Sequence, residues 1–333
     1  MISKNTIQLF ILITVLLLIF SCSKPVNETE LLTAAGDEYF SSYSTPSSNT
    51  GPNIKIQDLY TLLKDNDTSN DPYIIDWRAK ADYDKNHIKG AVNMALSDLD
   101  VKLDSLPKNK MIVNVCYTGQ TASFATSVIN LVGQDEAYDG LEARNLLFGM
   151  CSITMDPEIV PKSDKWVSQI SEDEDYKMET SMNTCTKENE LPKLETGEKT
   201  LAEIIKANLD DAEGSGAWKL MVDDLYANLD DYFIINYWPE DEYLAGHILG
   251  AYQFTPKNDL SSDKKLKMLP QDKAIAVYCY TGQTSAQVTA YLRLLGYDAK
   301  SVMFGVNGFA YKSMSKNKYS AVEGDDYLNI LES

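Results

Sequence analysis

Two stretches of the chain carry the same alternation of short apolar runs and amphipathic segments. Tyr73 to Asp76 is an apolar run of strand length, and Phe233 to Ile235 repeats it. Met111 to Val115 and Ala274 to Tyr278 read as buried strands, and each ends at a cysteine. Behind each cysteine the period turns helical: Ala122, Ala125, Val128, Ile129 and Val132 in the first stretch, Ala286, Ala290, Leu294 and Leu295 in the second. Gly133 and Gly296 stand where those helices should stop. Strand, glycine-bearing turn and helix, read twice, predict an α/β fold with a mainly parallel sheet flanked by helices in each half.

The two stretches are copies. Cys116-Tyr-Thr-Gly-Gln-Thr121 recurs as Cys279-Tyr-Thr-Gly-Gln-Thr284. Four further matches follow the same order: Asp58-Leu-Tyr60 with Asp224-Leu-Tyr226, Ile74-Ile-Asp-Trp77 with Ile234-Ile-Asn-Tyr237, His87-Ile-Lys-Gly-Ala91 with His247-Ile-Leu-Gly-Ala251, and Phe148-Gly149 with Phe304-Gly305. Collinear matches of this kind mean duplication, so the two units should superpose. They are placed at 23–160 and 200–333, with a polar, acidic linker at 161–199 that contains the cluster 172–175. The Ser, Thr and Asn-rich residues 23–52 read as a tether and lead-in to the first unit.

The length of 333 residues suits two domains, and 44% hydrophobic residues suffice for two cores. A net charge of −19 argues against nucleic acid, which requires Lys and Arg to neutralise phosphate. At the N-terminus Lys4 precedes an apolar run from Ile7 to Phe20, too short to span a bilayer comfortably. It stops at Ser21-Cys22, which resembles a bacterial lipobox, and residues 1–22 are read as a lipoprotein signal. Cys22 is then the lipidated N-terminus, and the protein is expected in a bacterial cell envelope, anchored by lipid to the outer membrane or on the periplasmic face. An oxidising envelope permits a disulfide between Cys151 and Cys185, with two unpaired thiols as the alternative. The cysteines match no paired zinc pattern, and no metal or cofactor is expected.

The cysteine loops carry the candidate chemistry. Each joins a buried strand to a helix N-terminus. Gly119 and Gly282 allow positive φ, so successive backbone N–H groups can turn inward and form an anion cradle with the helix dipole. Such a cradle favours a thiolate at Cys116 and Cys279 and holds the charge of a bound sulfur oxyanion or a persulfide. Thr118, Gln120 and Thr121, with Thr281, Gln283 and Thr284, are candidate side-chain donors. Tyr117 and Tyr280 either shape the mouth or pack. A buried cysteine is often only a small apolar residue, but duplication of the whole loop favours a reactive thiol.

Asp76-x-Arg78, His-Ile-x-Gly-Ala and Cys-x-x-Gly-x-Thr, in this order across nearly all of the chain after the signal, resemble the rhodanese family. The resemblance implies two tandem rhodanese-like domains. It implies sulfane sulfur transfer from a small anionic donor, thiosulfate or 3-mercaptopyruvate, through a cysteine persulfide to a thiol or cyanide. It places the active cysteine of tandem members in the C-terminal domain, which favours Cys279, whereas the intact Asp76-x-Arg78 favours Cys116. It makes His87 and His247 structural turns rather than bases, and Asp76 and Arg78 a buried pair. Phosphatase-like relatives end a longer loop in arginine; Ala122 and Ser285 stand there instead, which removes the charge clamp for phosphoryl chemistry. The competing reading is a non-catalytic module that binds a partner or senses persulfides.

Overall fold

Each half builds one five-stranded parallel sheet, and the two sheets share a strand order. In a computed structural model, which describes residues 26–42, 52–171, 176–322 and 324–333, the first sheet contains β1 (Asn53–Ile54), β2 (Tyr73–Asp76), β4 (Val92–Asn93), β5 (Ile112–Val115) and β6 (Ala143–Leu146) in the order β1-β6-β5-β2-β4. The second contains β8 (Lys219–Leu220), β9 (Tyr232–Asn236), β11 (Tyr252–Gln253), β12 (Ala274–Tyr278) and β13 (Ala299–Val302), ordered β8-β13-β12-β9-β11. The central strands are apolar because helices cover both faces of each sheet: Ile112, Val113 and Val115 are fully buried, as are Ile275, Ala276 and Val277. This is the expected fold, two α/β units with separate sheets. Cys22 and the cluster 172–175 lie outside the described residues.

Four long helices join the halves. They are α1 (Glu28–Ser42), α2 (Gln120–Val132), α3 (Leu201–Glu213) and α4 (Gln283–Leu294). α2 and α4 leave the two cysteine loops and pack against each other, with Ser127 Oγ donating to the Gln287 carbonyl at 3.0 Å. Small residues are fully buried on both helices, Ser123 and Ser127 on one and Ala286 and Ala290 on the other. One continuous core therefore runs through both units. The stretch read as a tether and lead-in to the first unit contributes α1 to this core. Its Leu32, Tyr39 and Phe40 are buried, and Phe40 meets Tyr291 of the second unit at 5.2 Å between ring centres.

The segments that follow each unit cross over. Trp166 and Tyr319 stack at 5.3 Å and 15° where the two tails pass. Beyond the crossing, β7 (Met178–Glu179) pairs antiparallel with β10 (His247–Ile248) of the second unit, and β14 (Leu331–Glu332) pairs antiparallel with β3 (His87–Ile88) of the first. The details repeat. Tyr176 packs on Tyr226 at 5.0 Å and Tyr327 on Tyr60 at 5.4 Å. Glu179 accepts the Gly250 N–H at 2.7 Å and Glu332 accepts the Gly90 N–H at 2.8 Å. The segment read as a linker is thus partly built into both units, with Trp166 fully buried.

No disulfide joins Cys151 and Cys185; both thiols are free. The reason is placement. Cys151 is sealed under Trp166, with its thiol against the Lys162 carbonyl at 3.7 Å, and burial pushes its pKa up to about 12. Cys185 lies partly exposed with its thiol 3.9 Å from the Lys187 carbonyl.

Trp166 meets Phe148 at 5.2 Å and Phe304 at 5.0 Å, so it binds the two halves at one point. Truncation of a buried tryptophan costs about 3–5 kcal/mol. Trp166→Ala should lower unfolding free energy in denaturant titration by that order, and a loss below about 1 kcal/mol would show that the crossing adds little.

Candidate active site

Both cysteines end a central strand, β5 or β12, and face the first turn of the next helix. Gly119 and Gly282 cap α2 and α4 with φ of 84° and 74°, a left-handed conformation that aims the following amides at the sulfur. Cys116 Sγ accepts from the Gly119 N–H at 3.2 Å and the Ala122 N–H at 3.4 Å. Cys279 Sγ accepts from the Ser285 N–H at 3.3 Å, and its thiol lies 3.6 Å from Ser285 Oγ. These contacts suit a sulfur anion.

A second turn braces each loop from behind. Met150 N–H donates to the Cys116 carbonyl at 2.9 Å and Cys151 N–H to the Tyr117 carbonyl at 3.2 Å. In the second unit Val306 and Asn307 N–H groups serve Cys279 and Tyr280 at 3.1 and 3.2 Å. A Cβ on Gly149 would lie 2.6 Å from the Gly119 nitrogen, and one on Gly305 would lie 2.8 Å from the Gly282 nitrogen, so only glycine fits either place. This gives the duplicated Phe-Gly pairs a role that the sequence matches marked but did not explain.

The loop side chains have partners of their own. Thr118 Oγ1 accepts from Gln120 Nε2 at 3.0 Å, and Thr281 Oγ1 accepts from the Gln283 N–H at 3.4 Å. Thr121 and Thr284 are half-buried on the first helical turns. Gln120 and Gln283 send their carboxamide oxygens to the opposite unit, because each helix is pressed against its counterpart. The cradle is therefore chiefly backbone, with the Ser285 hydroxyl as the one side-chain oxygen at either sulfur among the described residues.

The tyrosines form latches at the two mouths. Tyr117 Oη donates to Asp82 at 2.5 Å, and Lys162 Nζ binds Asp82 at 2.7 Å and Tyr117 Oη at 3.3 Å. In the second unit Tyr280 donates to Glu242, which also pairs with Lys316. The Lys162 hydrogen bond, aided by that of Tyr117, holds the Asp82 carboxyl below the usual aspartate range. Burial first, and then the bond to Asp82, push the Tyr117 hydroxyl up. With the latches closed, Cys116 is 2% exposed and Cys279 is 1% exposed. The mouths differ in character. Lys162 and Lys165 stand 4.6 and 4.8 Å from the Tyr117 ring centre, with Arg78 at 6.0 Å. Tyr280 stacks on Trp238 at 4.9 Å beside a cavity of about 140 Å³ lined also by Met178, Glu242 and Met314.

The histidines are structural. His87 and His247 stack on Tyr83 and Tyr243 at 3.8 and 3.5 Å, and each Nε2 faces a tail glutamate, Glu332 or Glu179, at 3.5 Å. Asp76 and Arg78 form a buried ion pair at 2.7 Å. In the second unit Asn236 Nδ2 instead donates to Tyr278 Oη at 2.8 Å. No group of three or more potential metal ligands occurs among the described residues.

Two parallel α/β units, each presenting a cysteine in an amide cradle between strand and helix, define a tandem thiol-loop protein. The rhodanese-like domain family matches residues 55–140 and 221–312, together just over half of the chain, and the chain belongs to that family. No curated protein matches the sequence. Among solved structures, a rhodanese-like domain protein from Staphylococcus aureus is 21% identical, over 30% of this chain and 88% of that one, with a TM-score of 0.25. A rhodanese-related protein from Thermoplasma volcanium is 27% identical over 26% and 85%, with a TM-score of 0.23. A thiosulfate sulfurtransferase from Pseudomonas aeruginosa is 14% identical, with a TM-score of 0.31, and its match covers 88% of this chain but 49% of that one.

The latch geometry sets a test of access. Lys162→Met should speed labelling of Cys116 by a small thiol reagent several-fold while leaving Cys279 unchanged, and Lys316→Met should do the reverse. Because the Asp82 pKa is lowered, its latch holds fully above the ordinary aspartate range and is lost as pH falls through the lowered value. Peptide-resolved mass spectrometry reads both rates; equal labelling in the variants and the parent would show that the latches do not gate the thiols.

Proposed function

We propose that the protein is a sulfurtransferase that carries sulfane sulfur as a cysteine persulfide. The observation that carries this reading is the duplicated cradle, in which backbone N–H groups meet Cys116 and Cys279 at 3.2–3.4 Å. A thiolate there attacks the outer sulfur of thiosulfate. The new bond joins it to that sulfur, the old sulfur–sulfur bond breaks, and sulfite leaves with the electron pair. With 3-mercaptopyruvate the carbon–sulfur bond breaks instead, and the carbon that loses sulfur takes up a proton. In the second step an acceptor thiolate or cyanide attacks the outer persulfide sulfur and returns the cysteine thiolate. The amides that held the thiolate hold the terminal persulfide charge, and no cofactor enters.

Cys116 receives two amide donors, and Cys279 one amide beside a hydroxyl, so both serve in this scheme. Serine keeps the shape but cannot carry a persulfide. Cys116→Ser and Cys279→Ser should each remove part of the transfer, with the larger loss from Cys279→Ser, and the double variant should abolish it. Full transfer by the double variant defeats the mechanism; loss from Cys116→Ser alone places the enzyme in the first unit.

The near-complete burial of both thiols favours a second reading, a module that holds a partner or records persulfides without turnover. Absence of sulfur label on either cysteine from any donor would select it.

We further propose that Cys22 carries lipid and anchors the protein in the cell envelope. Among the described residues no helix is long and apolar enough to cross a membrane, so attachment would rest on the N-terminal segment. Cys22→Ala should move the protein from the membrane to the soluble fraction, and unchanged partitioning overturns the anchor.

A further inference from the structure

The two glutamines that left the pocket are the most unusual feature of the loops. Gln120 follows Gly119 in the first loop and is fully buried, yet its Oε1 accepts the N–H of Phe304, in the second unit, at 2.7 Å. Gln283, 1% exposed in the second loop, sends its Oε1 to Asn145 Nδ2 at 2.7 Å and to the Phe148 N–H at 3.3 Å, both in the first unit. Phe148 and Phe304 are the residues before the bracing glycines. Both hold the left-handed region, at φ of 65° and 63°, which a bulky residue adopts only when its surroundings impose it. Gln120 Oε1 also lies against Gly282, and a Cβ on Gly119 would come within 2.7 Å of Gln283 Oε1.

We infer that Gln120 and Gln283 are reciprocal positioning residues: each carboxamide holds the cysteine loop of the opposite unit in its anion-binding shape. The inference rests on the reading of both loops as thiolate sites, and not on any donor or acceptor. Its physical content is a chain of three links. The glutamine oxygen fixes the phenylalanine amide. The phenylalanine fixes the glycine turn behind the loop. That turn fixes the carbonyl of the cysteine, through Met150 N–H in one unit and Val306 N–H in the other. A side chain four residues after Cys116 thus acts on Cys279, and one four residues after Cys279 acts on Cys116.

The test is the rate of iodoacetamide alkylation against pH, read separately at Cys116 and Cys279 by mass spectrometry in the full chain. Methionine matches glutamine in length and lacks a strong acceptor. Gln120→Met should slow alkylation of Cys279 by about tenfold, the loss of one hydrogen bond in a buried site, and move its profile to higher pH. Cys116 should change less. Gln283→Met should give the mirror image. If methionine prevents folding, Gln120→Asn and Gln283→Asn keep the amide but withdraw it by one carbon, and should shift the profiles the same way. A larger effect at the cysteine of the mutated loop, or equal effects at both, overturns the inference while the thiolate reading stands. Thiols that never alkylate in the parent protein overturn both. A crossed effect without any sulfur transfer supports the inference and removes the sulfurtransferase reading alone.

Discussion

The packing of α2 on α4 is the contact on which the rest depends. Each helix begins at a cysteine loop, so the interface that stabilises the two-unit core also fixes the direction in which both sets of amides point. The Ser127 hydroxyl of α2 reaches the Gln287 carbonyl of α4, so the two backbones approach closely. Close approach in turn brings Gln120 and Gln283 within reach of the opposite units. A larger residue at Ser127 would separate the helices and withdraw those carboxamides together.

The crossed tails act on the same geometry from outside. Trp166 donates its Nε1–H to the Thr118 carbonyl at 3.1 Å, so the crossing point is bonded directly to the first loop. Tyr319, stacked on it, donates to the Cys151 carbonyl at 3.0 Å, on the turn that braces that loop. The tails then continue to the histidine hairpins, where Glu179 and Glu332 accept the Gly250 and Gly90 N–H groups just after β10 and β3. Each unit is therefore completed by chain that follows the other. Excising one at 160 or 200 would strip it of a strand.

Much of this was legible in the residues. Apolar runs at Met111–Val115 and Ala274–Tyr278 gave the central strands, and the repeated loop located the candidate cysteines. The crossing tails were not legible because β7 and β14 are two residues long, and nothing in Met178–Glu179 or Leu331–Glu332 marks a partner so distant in sequence. The tether and lead-in expected at 23–52 hid α1, whose apolar residues Leu32, Tyr39 and Phe40 sit among Ser, Thr and charged positions and bury against helices of both units. The glutamines misled for a related reason. In isolation a carboxamide beside a cysteine loop is a donor to its ligand; only the second copy supplies the amide that it accepts.

Duplication kept the frame and released the mouth. The Asp76–Arg78 ion pair and the Asn236–Tyr278 hydrogen bond start from equivalent strand positions; the first ties β2 to the segment that follows it, and the second ties β9 to β12. A buried ion pair repays its desolvation only with good geometry, and replacement by a neutral, well-packed pair is often neutral in stability. Such an exchange is open at this site because neither group touches the sulfur. Its consequence lies at the entrance. Loss of the arginine puts Trp238 beside Tyr280, where Arg78 stands beside Tyr117 in the first unit. Lys162 and Lys165 stand over Tyr117 at one entrance, whereas Lys316 stands over Tyr280 at the other, beside Trp238, Met178 and Met314. The cradles are chiefly backbone in both units, so the two sites differ most at their entrances. On the proposed transfer, two copies of one cradle would offer the same kind of sulfur through unlike entrances.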